Sequence, residues 1–434
     1  MINQLKNSAY LKQSVLSFGG QLAFLLANFL LFVLLVNKIT QDQFGAWALY
    51  ITIISIADSL RQGMVQNGLA RLLIKFPNDK SLSTTGFVLN YALIILLGGL
   101  ILIGAWLFSA STDVNQLLPH AWKSLLVLGS IQFMSTLCQA RLAFKTYFIT
   151  NAIYMVCFVA CIAYVAQTSA QISLVQIINA QALSLILPSV YFIWKRKASF
   201  AKLSKAHFIA LFQFGRYSAG TNLLSILFHK ADILMIAFFL DPMSVALFHF
   251  ASKIMNYAEL PLHALSQVIY PRLSASYHSD GASALNKEYG ISIIRLSILV
   301  IPIALIVVIF NKDIIGILSS GEYIEASQLI IILAIGIVFK PWGRVFGLTL
   351  DAIGRPKVNF RMLLLSLIIN ITMNLLLIPS LGVQGAALAT TSSILLTTLI
   401  GQFRIGRYTP ISPLKDVWQA MSMQRGYLKS LSWN

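Results

Sequence analysis

The sequence predicts an all-α, polytopic membrane protein of about twelve transmembrane helices, and three observations carry that expectation. Only 11% of the 434 residues are charged, where a soluble chain carries about 25%. Apolar stretches of roughly 20 residues recur from end to end, each long enough to cross about 30 Å of hydrocarbon. Lys and Arg outside those stretches fall almost wholly in alternate segments, which is how cytoplasmic loops are marked.

Leu, Ile, Val, Phe and Ala fill the apolar stretches. A β-barrel would instead show shorter, alternating segments. The first span, 14–36, is too long for a signal-peptide core and lacks a small-x-small cleavage site, so it reads as uncleaved. Spans 44–64, 86–108, 120–140, 148–168 and 172–194 complete a first set of six. The basic segment 195–216 then interrupts the apolar pattern. Spans 213–240, 243–270, 291–310, 326–348, 359–378 and 383–403 form a second set. The expected organisation is therefore an N-terminal six-helix lobe (1–194), a basic cytoplasmic linker (195–216), a C-terminal six-helix lobe (213–403) and a cytoplasmic tail (404–434).

Orientation follows from the short loops. One alternate set of segments collects Arg71, Lys75, Arg141, Lys195, Lys202, Arg272, Arg355, Arg404 and their basic neighbours. The opposite set holds Lys38 and Lys312 alone. Both termini are thus expected in the cytoplasm, and the net charge of +18 is mostly this topology signal, not a nucleic-acid footprint. The outer loops are short, and the longest, with Lys312, Asp313, Glu322 and Glu325, reads as a surface-lying turn. No segment outside the spans is large enough for a catalytic core, and no GxxxxGK[ST] phosphate loop occurs. Cys138, Cys157 and Cys161 lie in apolar runs with nothing nearby to complete a metal site, so they read as packing residues. No metal or other cofactor is expected.

An internal repeat is visible when the second span is laid on the eighth. Ile53 meets Ile254, Ala57 meets Ala258, Gln66 meets Gln267, Arg71 meets Arg272 and Leu72 meets Leu273, while Asp58 meets Glu259. Six spans per half bring both halves in from the same side, which is the parallel type of repeat.

Polar residues within spans are costly and mark pathways by default. The seventh span carries Ser218, Asn222, Ser225, His229 and Asp232 at spacings that share one helix face, with Lys230 beside them. The eighth carries His249, Lys253, Asn256, Glu259, His263 and Gln267. The first offers a sparser stripe of Ser14, Ser17, Gln21 and Asn28. Two readings stand side by side. The small polar members can simply glue helices together, and His229 with Asp232, or Lys253 with Glu259 or His249, can be internal pairs. The ionisable set can instead line a water-filled cavity. On acid count Lys230 and Lys253 are balanced by Asp232 and Glu259, whereas Lys340 and Arg344 on the tenth span have no acid within the preceding turn. Arg61 and Arg344 also fit membrane-end anchors that snorkel.

Several strings resemble a known family. LSSGEYIEASQLIIILAIGIV contains a GxxY-like turn before the tenth span. DAIGRPKVNFRMLLLSLIINITMNLLLIPSLGVQGAALATTSS carries Gly-Arg-Pro-Lys at 354–357, an Asn-rich span and a GxxGAAxAT turn at 382–390. ITQDQFGAWALYITIISI and KADILMIAFFLDPMSVALFHFASKI look like corresponding entries into the two halves. Together these resemble the O-antigen and capsular polysaccharide repeat-unit flippases of the multidrug/oligosaccharidyl-lipid/polysaccharide exporter superfamily.

That resemblance implies two six-helix lobes, a cavity with alternating access, and a transporter instead of an enzyme. It also implies a bacterial inner-membrane location and a cargo of undecaprenyl-pyrophosphate-linked oligosaccharide. Partners would be that lipid-linked oligosaccharide, the bilayer and polysaccharide polymerase machinery. For an anionic cargo, the candidate cavity residues are Lys340, Arg344, Lys253, Lys230, Asn222, His249 and His263, and the candidate ion-coupling acids are Asp58, Asp232 and Glu259. Two alternatives remain open: a multidrug or cation exporter of the same superfamily, and a membrane-embedded polysaccharide polymerase or ligase, which would be expected to carry catalytic residues on a sizeable outer loop.

Overall fold

The computed structural model describes residues 19, 22, 25–77, 79–107, 113–168, 172–196, 201–279, 281–409 and 412. Ser14, Ser17 and Gln21 of the expected first stripe, and the tail beyond 412, lie outside the described residues. Among the described residues there is no strand. The long helices are α1 (Leu25–Lys38), α2 (Gln41–Lys75), α3 (Lys80–Leu107), α4 (Ala121–Ala140), α5 (Phe144–Thr168), α6 (Leu174–Lys195) and α7 (Lys205–Phe239). They continue as α8 (Pro242–Ala258), α9 (Leu260–Ser279), α10 (Gly281–Ile309), the short α11 (Asn311–Ser319), α12 (Ala326–Ala352), α13 (Pro356–Leu381) and α14 (Val383–Ile405). Nine described helices are long and apolar enough to cross a membrane: α2, α3, α5, α6, α7, α10, α12, α13 and α14. The protein is a multi-pass membrane protein.

Local signals set the helix ends. The Thr40 hydroxyl accepts from the Gln43 N–H while the Gln43 side chain accepts from the Thr40 N–H, both at 3.3 Å, so a capping box opens α2. Asp241 caps α8 at the Ser244 N–H, 2.8 Å away, and Pro242 occupies the first helical position. Gly382, at φ +60°, makes the tight link from α13 to α14. Glu259 separates α8 from α9, so the expected eighth span is two helices meeting at an acid. Within α2, residues Gln62–Gln66 form a π-helical turn, the kind of irregularity that gathers at functional sites.

The chain divides into two compact units, Met1–Ile226 and Leu227–Asn434, with the boundary inside α7. In the first unit Leu69 and Leu73 of α2, Leu82 of α3, Phe133 and Leu137 of α4 and Leu211 of α7 share a buried core. Here α2 and α7 approach very closely: a Cβ on Gly215 would lie 2.2 Å from the Met64 carbonyl oxygen, and one on Gly63 only 2.3 Å from the Ala219 Cα. In the second unit Leu285, Tyr289, Ile293, Val345 and Leu350 are core residues, and Gly385 lets α14 press against α13 at the Leu377 carbonyl. Small residues at such crossings are what bilayer packing demands, because lipid supplies no hydrophobic drive between helices. The large apolar side chains that remain exposed, such as Ile95, Val156, Leu187, Ile298, Leu376 and Phe403, belong to the surfaces that lipid covers.

One expectation changes here. The segment 195–216 is not a loop throughout, because α7 begins at Lys205. Residues just before it are stapled to the start of α3. Ser81 donates to the Lys202 carbonyl (2.9 Å), the Thr84 hydroxyl accepts from the Ala201 N–H (3.1 Å) and the Thr85 hydroxyl accepts from the Ser204 N–H (3.3 Å).

Candidate functional site

The second unit holds a cluster of ionisable residues on α7, α8, α9 and α12. Its deepest member is Asp232, which is buried. One carboxylate oxygen accepts from Asn374 (2.7 Å) and Asn370 (3.0 Å) of α13, and the other from the Thr390 hydroxyl of α14 (2.8 Å). Asn374 also donates to the Asn370 side-chain oxygen at 3.2 Å, and its own side-chain oxygen is buried without a hydrogen-bond partner. Among the described residues no Lys, Arg or His forms an ion pair with Asp232. Neutral donors satisfy its lone pairs, and the Lys340 ammonium lies within electrostatic reach without forming an ion pair with it, an expensive arrangement in a low-dielectric interior.

Glu259, buried at the bend between α8 and α9, forms an ion pair with Lys340 of α12. Lys340 immediately precedes Pro341, whose ring removes one helical hydrogen bond from α12. The pair thus joins two irregular points of the backbone. One turn on, the Arg344 guanidinium donates to the Ser266 hydroxyl of α9 at 2.9 Å. Lys340, Lys230, His263 and Arg344 all lie within electrostatic reach of His229, while His249 lies within reach of Lys230 and Lys253. Lys253 stands over the Tyr257 ring at 5.7 Å. Among the described residues Lys230 and Lys253 form no ion pair. The unit therefore gathers a connected cationic face, with Glu259 paired to Lys340, Asp232 held by neutral donors and Asp351 within electrostatic reach of Arg344.

The first unit carries a separate buried network. The Arg61 guanidinium, with no exposed surface, donates twice to one oxygen of Asp58 (2.8 and 2.6 Å), to Asn90 (2.5 Å) and to Gln132 (2.9 Å). The second Asp58 oxygen accepts from Gln62 (2.7 Å) and Gln132 (3.1 Å). The π-turn begins immediately after Arg61. Asn222 also falls in this unit, where its amide donates to the Ser59 carbonyl at 3.4 Å.

Two sequence expectations are thereby corrected. Arg61 is not a snorkelling anchor: it is the hub of a buried network. The pairing of the central lysines is also reversed, since Glu259 takes Lys340 and Asp232 takes amides and a hydroxyl. Lys230 and Lys253, expected to be neutralised, are the unpaired ones. The sequence reading missed Asn370, Asn374 and Thr390 as partners of Asp232, although the spacing of four between two Asn residues in an apolar span was a visible signal. It also missed the Arg295–Glu288 pair (3.0 Å) on α10.

Comparison with known proteins places these features in a family. The family model described as polysaccharide biosynthesis protein matches residues 35–328. A probable low-salt glycan biosynthesis flippase of Haloferax volcanii is 26% identical over 217 residues, covering 50% of this chain and 46% of that relative. The chain thus spans less than half the length of that relative. A second protein of Haloferax volcanii, named probable flippase AglR, is 22% identical over 406 residues, covering 90% of this chain and 82% of its own length. Among solved structures, the lipid II flippase MurJ in an inward closed conformation superposes with a TM-score of 0.69 at 17% identity, covering 98% of this chain and 93% of that one. The likeness at that identity is one of fold.

Proposed function

Because the chain belongs to the polysaccharide biosynthesis protein family, we propose that it is a flippase for a lipid-linked oligosaccharide, a transporter and not an enzyme. Its cargo would be an undecaprenyl-pyrophosphate-linked repeat unit of O-antigen or capsule, moved from the cytoplasmic to the periplasmic leaflet of a bacterial inner membrane by alternating access. Twelve spans in two six-helix lobes, both termini in the cytoplasm, and delivery to polysaccharide polymerase machinery belong to the same reading.

The observation that carries the proposal is the cationic face of the second unit. A polyprenyl tail can remain in lipid, but the sugar hydroxyls and the pyrophosphate cannot cross hydrocarbon without losing their hydration. Apolar helices that retain Lys230, Lys253 and Arg344 beside His229, His249 and His263 offer a multiply charged phosphate the partners it needs. A cationic drug would meet repulsion at the same surface. Lys230 and Lys253 are the primary pyrophosphate ligands in this reading, because no acid neutralises them. Lys340 serves first as the partner of Glu259.

Coupling to an ion falls to Asp232. Asp58 and Glu259 already hold a guanidinium and an ammonium, so a proton or sodium ion could bind them only by displacing an ion pair. Asp232 is hydrogen-bonded by neutral donors alone, and a bound cation would cancel its charge while the Asn374 side-chain oxygen remains available. The test is an assay of leaflet accessibility for the lipid-linked repeat unit in cells that lack the protein. Complementation by the natural chain should restore outer-leaflet exposure, and the Lys230→Ala/Lys253→Ala variant should not, at equal abundance. Normal outer-leaflet exposure in the deletion strain, or with the variant, would remove the proposal.

A further inference from the structure

A groove of about 210 Å³ lies in the first unit, between the last two turns of α2 and the first turns of α7. Gly68, Arg71, Leu72 and Lys75 line it from α2, and Ala210 and Phe214 from α7. None of its lining residues belongs to the buried network around Asp58. Its polar lining is wholly cationic. Arg71 and Lys75 stand one turn apart on one helix face, both exposed, and among the described residues neither pairs with an acid. The Arg71 guanidinium lies over the Phe214 ring, 5.1 Å from its centroid, which orients it without consuming its hydrogen-bond donors. Gly68 keeps the groove open: a Cβ there would already press on Leu211 and Phe214, at 3.3 and 3.4 Å.

The surroundings specify the ligand. Ile74 (70% exposed) and Phe76 beside the α2 cations, and Phe208, Ile209 and Phe212 on the first turns of α7, are all exposed apolar side chains. A groove with bare cations at helix ends that also expose aromatic and aliphatic residues is matched to the level where hydrocarbon gives way to headgroups. We infer that Arg71 and Lys75 hold the phosphate of an anionic membrane phospholipid, with Phe214 as the wall of the headgroup site and the acyl chains beside the exposed apolar residues. A phospholipid fits better than the proposed cargo, because the helix ends that form the groove also carry exposed apolar side chains. The fork of Arg71 can engage two phosphate oxygens, while Lys75 adds a point charge.

The test uses the purified full-length protein and native mass spectrometry, with phosphatidylglycerol, phosphatidylcholine and undecaprenyl phosphate each offered at equal concentration. Retained phosphatidylglycerol should fall at least fivefold in Arg71→Gln/Lys75→Gln. It should persist in Arg71→Lys/Lys75→Arg and in a control that removes the same charge elsewhere in the unit, Lys38→Gln/Lys195→Gln. Unchanged melting temperatures guard against misfolding. Equal retention of phosphatidylcholine, equal loss in the control, displacement by millimolar inorganic phosphate, or binding of undecaprenyl phosphate with none of phosphatidylglycerol would each overturn the assignment. The readout is binding, so the outcome is independent of whether the chain flips oligosaccharides.

Discussion

Arg61 offers the sharpest quantitative test of how the first unit is held. Replace it with Met, which keeps much of the side-chain volume and removes the charge. Asp58 then loses both donors on one oxygen and keeps only Gln62 and Gln132 on the other. Two terms compete for the size of the effect. Losing the bridges from Arg61 to Asn90 on α3 and Gln132 on α4 costs about 0.6 kcal/mol each, the average for interhelical hydrogen bonds in a bilayer protein. Leaving a buried carboxylate uncompensated costs about 3–5 kcal/mol. The second term dominates, so Arg61→Met should lose about 3–5 kcal/mol. The double replacement Asp58→Leu/Arg61→Met removes both charges and should be more stable than Arg61→Met alone, giving a coupling energy of at least about 2 kcal/mol. Steric trapping in bicelles reads these free energies on the folded membrane protein. A loss near 1 kcal/mol for the single variant, with additive behaviour in the double, would show that only bridging bonds matter and that the buried pair is not the keystone argued here.

The second unit makes a parallel prediction with a different readout. Lys340→Ala should lower the protein's abundance in membranes because it strands Glu259 at the bend between α8 and α9, and Lys340→Ala/Glu259→Ala should restore it on immunoblots; normal accumulation of the single variant would count against the pairing. Asp232→Asn should leave abundance near that of the natural protein, since Asn370, Asn374 and Thr390 are neutral and still hydrogen-bond an amide, yet the ion dependence of transport proposed for Asp232 should be lost. A variant that keeps full gradient dependence would exclude Asp232 from coupling. Gly215→Ala should cost at least about 1–3 kcal/mol, the range for overpacking, because its Cβ would meet the Met64 carbonyl oxygen at 2.2 Å; a melting temperature equal to that of the natural protein would mean that α7 shifts freely along α2.

The helices were legible because each is written in its own segment. Composition alone marks a stretch such as 86–108 or 383–403, and the local capping residues Thr40, Asp241 and Gly382 sit at the joints. The π-turn at Gln62–Gln66 and the bend at Glu259 were not legible, because both are local departures that tertiary contacts maintain within an otherwise continuous apolar pattern. The start of α7 was misread for the opposite reason. Lys202, Lys205 and Arg216 look like a loop by charge, but a helix that leaves the bilayer goes on turning in the headgroup layer, and hydroxyls on α3 hold the segment before it.

The candidate site was legible as a list and illegible as a set of pairs. Helical spacing reports which residues share a face of one helix, and a count of acids against bases on the same two helices balances Lys230 and Lys253 with Asp232 and Glu259. The structure matches charges across helices instead. Glu259 reaches Lys340, 81 positions on, while Asp232 turns to α13 and α14, whose Asn and Thr residues carry no charge for an acid count to register. The consequence reaches beyond bookkeeping of partners. Three acids that look equivalent in the sequence become two classes: Asp58 and Glu259, which form ion pairs, and Asp232, which among the described residues forms none. An acid with a resident cation resists titration by a transported one, since the newcomer must also leave the displaced cation buried and unpaired. Only the acid held by neutral donors can gain and lose a cation without breaking an ion pair.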